Sequence, residues 1–146
     1  MGGIAMFHNK AIAVMSLSAA ALLCGCGSNV VSFRKDVHPI LEHNCAVCHT
    51  PGGIGYKMSG FDVESYATVM KGSKYGPMVI PGSSQQSNLL WLLHHGAHPS
   101  INMPKICEQL EQSDGKCAVP SHYARELPQQ QVELITRWVD QGARDN

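Results

Sequence analysis

Five consecutive residues, Cys45-Ala46-Val47-Cys48-His49, constrain this chain more tightly than any other stretch of its sequence. Thiols at i and i+3 fall on one side of a helical turn, and the imidazole that follows falls on the same side. Both sulfurs can then add to the vinyl groups along one edge of a porphyrin while an imidazole nitrogen reaches the central iron. This is the attachment sequence of c-type haem. Cys45 and Cys48 are therefore expected to be thioether-linked to haem c, with His49 as the proximal iron ligand. No second Cys-x-x-Cys-His occurs, so one haem per chain is expected. Two other chemistries use paired cysteines: a zinc site adding Cys107 and Cys117 as thiolates, and a redox dithiol. The histidine directly after Cys48 argues against zinc, and the lack of a strand-helix-strand pattern argues against the dithiol.

The meaning of the remaining cysteines depends on compartment, which the N-terminus decides. After Lys10, residues 11–23 are uncharged and mostly apolar, and the run ends at Cys24-Gly25-Cys26-Gly27-Ser28 with no basic flank. A membrane span needs about 20 apolar residues, so this pattern predicts an export signal rather than a retained span. Leu23-Cys24-Gly25-Cys26 resembles the lipobox of bacterial lipoproteins, in which a small residue precedes the acylated cysteine. Cys26 fits that position better than Cys24, which would follow two leucines. The expected organisation is a signal peptide over 1–25, an acylated N-terminus and short tether over 26–31, and one domain over 32–146. Acyl chains contribute about 0.8 kcal/mol per buried methylene, so three of them would tether the domain permanently without its entering the bilayer. The expected location is the periplasmic or cell-surface face. Gly27, Ser28 and Asn29 carry no acidic retention residue, which favours the outer membrane.

Helical periodicity dominates the rest. Phe33, Val37, Ile40 and Leu41 share one helical face leading into Cys45, with Pro39 predicting a late helix start. Loops are predicted across 50–87, where Gly, Ser and Pro are frequent, with a short helix over 64–70. Ser87 predicts the N-cap of an apolar helix from Asn88 to His94, ended by Gly96. Pro128 opens a last helix whose buried face is Val132, Ile135, Trp138 and Val139, with Gly142 just beyond its end. No strand-like alternation of any length appears, so the fold class is mostly α with long loops. About 120 residues of exported chain give a limited core, which a buried cofactor would help to fill.

The segment Phe33-Arg34-Lys35-Asp36-Val37-His38-Pro39-Ile40-Leu41, leading into the Cys45–His49 motif, resembles the opening of small single-haem bacterial cytochrome c domains, including the planctomycete-type group. Gly76-Pro77-Met78-Val79-Ile80-Pro81-Gly82, Ser87-Asn88-Leu89-Leu90, Met103-Pro104 and residues 134–143 are similar to that family in the same order, so the resemblance covers the chain from 33 onward. It implies a class I cytochrome c fold, with crossed N- and C-terminal helices around one covalently bound haem, and a distal methionine from the loop before the last helix. The sequence departs from the family over residues 107–117, an extra loop bounded by Cys107 and Cys117. In an oxidising compartment a disulfide between them is expected, contributing about 2 to 3 kcal/mol through loop closure.

For the distal site the resemblance favours Met103, since Pro104 biases it toward an extended conformation and stiffens its loop. His98, also followed by Pro, is the rival, and a His/His site would have the lower potential. Met70 and Met78 fit core positions, Met58 a loop; His38, His43, His94, His95 and His122 fit the surface or the haem edge.

An electron carrier with a six-coordinate iron, and not an enzyme, is the expected function. The alternatives are a haem enzyme or a gas- or peroxide-binding sensor with a labile sixth ligand. Removing 1–25 leaves ten basic against eleven acidic residues, so no strong field selects a partner, and nucleic acid is not an expected one. The expected partners are redox proteins, donor and acceptor, with the membrane reached through the lipid anchor.

Overall fold

In the computed structural model, residues 1–3, 30–105, 123 and 125–146 are described. The apolar run before Cys26, Cys26 itself, the Cys107–Cys117 loop and His122 lie outside them. Among the described residues there is no strand, only one isolated bridge between Ser73 and Gly76, and no helix is long and apolar enough to cross a membrane.

The first helical segment is built in two parts. Residues Phe33–Val37 form a π-helical turn, continued by α1 over His38–Cys45 with Pro39 in its first turn. The late start predicted from Pro39 therefore holds for the α-helix alone. Because a proline can neither donate a backbone bond nor tolerate the carbonyl four residues earlier, the preceding turn widens, and the His38 N–H donates to the Phe33 carbonyl instead. The widened turn keeps Phe33 and Val37 on the same buried side as Ile40 and Leu41. Its first donors are met by the far end of the described chain. The Phe33 N–H reaches Asn146 Oδ1 at 3.0 Å, and the Arg34 N–H reaches the Asn146 carbonyl at 3.1 Å.

Three short helices follow. α2, Ile54–Ser59, was not expected: Pro51, Gly52 and Gly53 predicted only loop. It buries none of its residues, so no apolar stripe announces it, and its end is set by Gly60 in the left-handed region at φ 70°. α3, Tyr66–Lys71, falls close to the predicted 64–70, fixed by Ser65, whose hydroxyl accepts from the Thr68 N–H while Thr68 Oγ1 accepts from the Ser65 N–H. α4, Asn88–Leu93, starts where Ser87 predicted, but the Ser87 side chain does not cap it. Wholly buried, that hydroxyl donates to the Ser83 carbonyl at 2.8 Å and accepts from the Ile80 N–H at 2.9 Å, satisfying the loop before the helix instead. Gly96 is likewise not the helix end. His94 closes α4, and His95 takes the left-handed turn at φ 54°.

α5, Gln129–Asp140, follows the expected pattern, with Val132, Ile135, Trp138 and Val139 buried. Past its end Gly142 is at φ 98°, and the Ala143 N–H returns to the Trp138 carbonyl at 2.9 Å. The helix packs on the Phe33–Val37 turn and on α4. At the first contact the rings of Phe33 and Trp138 meet with centroids 5.3 Å apart, and Tyr66 sets its edge against Phe33 at 5.3 Å. These rings join the first helical segment to α5.

Candidate haem-attachment site

α1 delivers Cys45 as its last residue, and the chain then makes one more helical turn. The Cys45 carbonyl accepts from the N–H of Cys48 at 3.1 Å and of His49 at 2.8 Å. Cys48 and His49 therefore lie outside the α-helix proper, yet these hydrogen bonds preserve the i, i+3, i+4 spacing of a helical turn. Both cysteines carry free thiols and are half-buried. Burial and the neighbouring Cys48 push the Cys45 thiol up to about 12, and burial also raises Cys48, so both groups are held as neutral thiols at neutral pH.

His49 is held by the segment that follows it. Its Nδ1 lies 3.3 Å from the Phe61 carbonyl, and since a carbonyl only accepts, Nδ1 carries the proton and Nε2 keeps its lone pair. A ligating histidine needs that arrangement: one nitrogen oriented by a backbone carbonyl, the other free for metal. Burial lowers the His49 pKa, with the Phe61 bond opposing, which keeps the imidazole neutral and ligand-competent. Phe61, buried itself, also stands edge-on to the ring at 5.5 Å. The backbone of the motif is fixed in the same way. The Tyr56 N–H donates to the Cys48 carbonyl at 2.8 Å and the Val63 N–H to the His49 carbonyl at 2.9 Å. Phe61 is positioned in turn by Ser59, whose hydroxyl accepts from the Phe61 N–H at 3.1 Å and donates to the Gly55 carbonyl at 2.7 Å. The residues present fit a covalently held haem: two adjacent neutral thiols, and an imidazole with the correct nitrogen left free.

The sixth-position candidates sit differently. Met103 is half-buried, on a loop tied to α4 through its N–H, 3.2 Å from the Leu92 carbonyl. Its peptide bond to Pro104 is cis. His98 is exposed, and its Nδ1 accepts from the Ser100 N–H at 3.2 Å, so the neutral ring carries its proton on Nε2. His94 and His95 are both exposed, and His95 faces Glu126 at 3.8 Å. His38 packs on Phe33 and donates from Nε2 to the Glu64 carbonyl at 3.1 Å; His43 is exposed beside Tyr123. Met78 is buried and Met70 packs against the core, as expected of both, while Met58 stands 66% exposed.

The sequence motif names the thiols and the imidazole but not the residues that orient them in the fold. Phe61 acts through its backbone carbonyl, which any residue could supply, so its identity carries no signal. Gly55 is missed for a similar reason: only the folded chain shows what lies beside it.

Residues 45–105 match the family model PSCyt1, Planctomycete cytochrome C. The match begins at the first cysteine of the motif and runs two residues past Met103. Hydrazine synthase subunit alpha of Kuenenia stuttgartiensis is 28% identical over 133 residues, an overlap covering 78% of this chain. The chain spans only 15% of that subunit's length. No solved structure gives a significant match. The two similarities support a planctomycete-type c-type cytochrome, and a cytochrome c domain implies covalently bound haem c.

Proposed function

We propose that this chain is an electron-transfer cytochrome of class I type. It would carry one haem through Cys45 and Cys48, with His49 and Met103 as axial ligands. The observation that carries the reading is the Nδ1 bond from His49 to the Phe61 carbonyl, directly after two free thiols, which leaves Nε2 as the only ring nitrogen able to take a metal. Bound there, the haem supplies an iron that exchanges one electron between ferrous and ferric states. His49 donates to the iron, and Phe61 holds its ring and proton in place. Met103 is supported by its position on a loop anchored to α4, and by the engagement of the rival His98 Nδ1 with Ser100. Two strong ligands would leave no open position, which makes the protein a carrier rather than an enzyme. Donor and acceptor would be redox proteins meeting a surface without a dominant charge.

Intact-mass measurement of the mature protein, made in a host competent for cytochrome c maturation, is expected to show one haem covalently added. A mass without haem would remove the proposal. Export and anchoring through Cys26 belong to the same reading, supported by the apolar run and the small residue before that cysteine. Cys26→Ser is expected to move the holo-protein from the membrane fraction to the soluble one with its absorption spectrum unchanged. Retention on the membrane at high salt would count against the lipid anchor.

A second reading is favoured by the similarity to an enzyme subunit. In it the domain is a haem module of a catalytic assembly, with a labile sixth ligand. Carbon monoxide separates the two: a carrier closed by Met103 binds none in the ferrous state, whereas an open module binds it readily.

A further inference from the structure

Resting on the reading of His49 as an iron ligand, we infer that Gly55 is a positioning residue for the His49 imidazole, and that only glycine allows the ring its ligating orientation. Gly55 lies in the first turn of α2, where nothing in its backbone demands glycine, since its φ is not in the left-handed region. By helix propensity alone, alanine there would be the better residue. The space decides otherwise. A Cβ on Gly55 would stand 2.8 Å from His49 Cε1, 2.8 Å from His49 Nε2 and 2.9 Å from the Cys48 carbonyl oxygen. Carbon does not approach so closely without something shifting. The two ring atoms form the edge that carries the metal-binding nitrogen. On the other side the ring is fixed through Nδ1 to Phe61, so it cannot turn away without giving up that bond.

The neighbouring Gly53 is also closely packed, but against different atoms. The nearest atoms a Cβ there would meet are the carbonyl oxygen at 2.4 Å, the carbonyl carbon at 2.7 Å and Cα at 3.1 Å of Cys48, all of them backbone atoms outside the His49 ring. The two glycines therefore separate two effects. A methyl at 53 presses on the backbone of the attachment turn, and a methyl at 55 presses on the imidazole as well. Imidazole donates more strongly to ferric than to ferrous iron, so displacing it disfavours the ferric state and raises the reduction potential.

The test compares holo-proteins of wild type, Gly55→Ala and Gly53→Ala by haem content, ferric electron paramagnetic resonance and reduction potential. Gly55→Ala should keep its covalent haem, show altered low-spin g-values with a high-spin fraction, and titrate at a raised potential. Gly53→Ala, which presses on the Cys48 backbone and not on the ring, should lower thermal stability, while its holo-protein keeps wild-type g-values and potential. A merely structural role moves thermal stability and leaves g-values and potential where they were. Wild-type g-values and potential in Gly55→Ala would overturn the assignment, and so would equal changes in both variants. If Gly55→Ala yields no haem-bearing protein, Gly53→Ala decides: normal yield there supports the ring contact, and equal loss there overturns it. Failure of the underlying reading looks different, because the wild-type protein would then carry no haem at all.

Discussion

Trp138→Ala lowers the free energy of unfolding of the holo-protein by about 3 to 5 kcal/mol in chemical denaturation, the range for removing a large buried aromatic. Only 1% of Trp138 is exposed, and it closes the contact between the first helical segment and α5. Three losses add up. The indole leaves a cavity against Phe33, whose ring centroid lies 5.3 Å away, and the neighbours are too constrained to fill it. The Arg144 carbonyl loses the Nε1–H that reaches it at 3.0 Å. Phe33, only 3% exposed, then faces the void, so the π-helical turn that leads into α1 loosens with it. Because that turn precedes α1 directly, the variant should also unfold faster, while the haem stays bonded to its cysteines. A change within 0.5 kcal/mol would place the indole outside the core.

What the sequence made legible follows the physics of each element. α5 was read well because a single apolar face, an opening proline and a closing glycine all agree. The attachment motif stands out in the sequence because its chemistry fixes residue type and spacing together. The misses share one cause, which is that backbone groups do the work. α2 buries no side chain, so no periodic signal marks it, and its role is to bring the Tyr56 N–H to the Cys48 carbonyl. Ser87 was a correct boundary with a different bond, because a buried hydroxyl takes the nearest unsatisfied partners, here the Ile80 N–H and the Ser83 carbonyl, rather than the helix end. The widened turn before Pro39 was half legible. The proline predicts a disturbance, but whether the chain breaks or widens depends on Phe33 and Val37 both finding burial, which is a tertiary fact.

If Met103 is the distal ligand as proposed, Met103→Ala is expected to abolish the weak far-red sulfur-to-iron absorption of the ferric protein, lower its reduction potential and open the ferrous form to carbon monoxide. Met103 is half-buried on a loop between α4 and the 106–122 segment, and it is absent from the buried hydrophobic core, so its removal should cost little packing. A large functional change with a small structural one is then the signature of a ligand. A thioether favours ferrous over ferric iron more than imidazole does, so its loss moves the potential down. Haem should remain attached, because Cys45 and Cys48 lie on α1 and the turn after it, away from that loop in sequence and hydrogen bonding. Met103→His restores six-coordination at a lower potential, which separates loss of a ligand from loss of the fold. The opposite result is equally readable. If Met103→Ala leaves spectrum and potential intact while His98→Ala changes both, the Ser100 contact at His98 Nδ1 must give way in the holo-protein, and the iron is bis-histidine ligated.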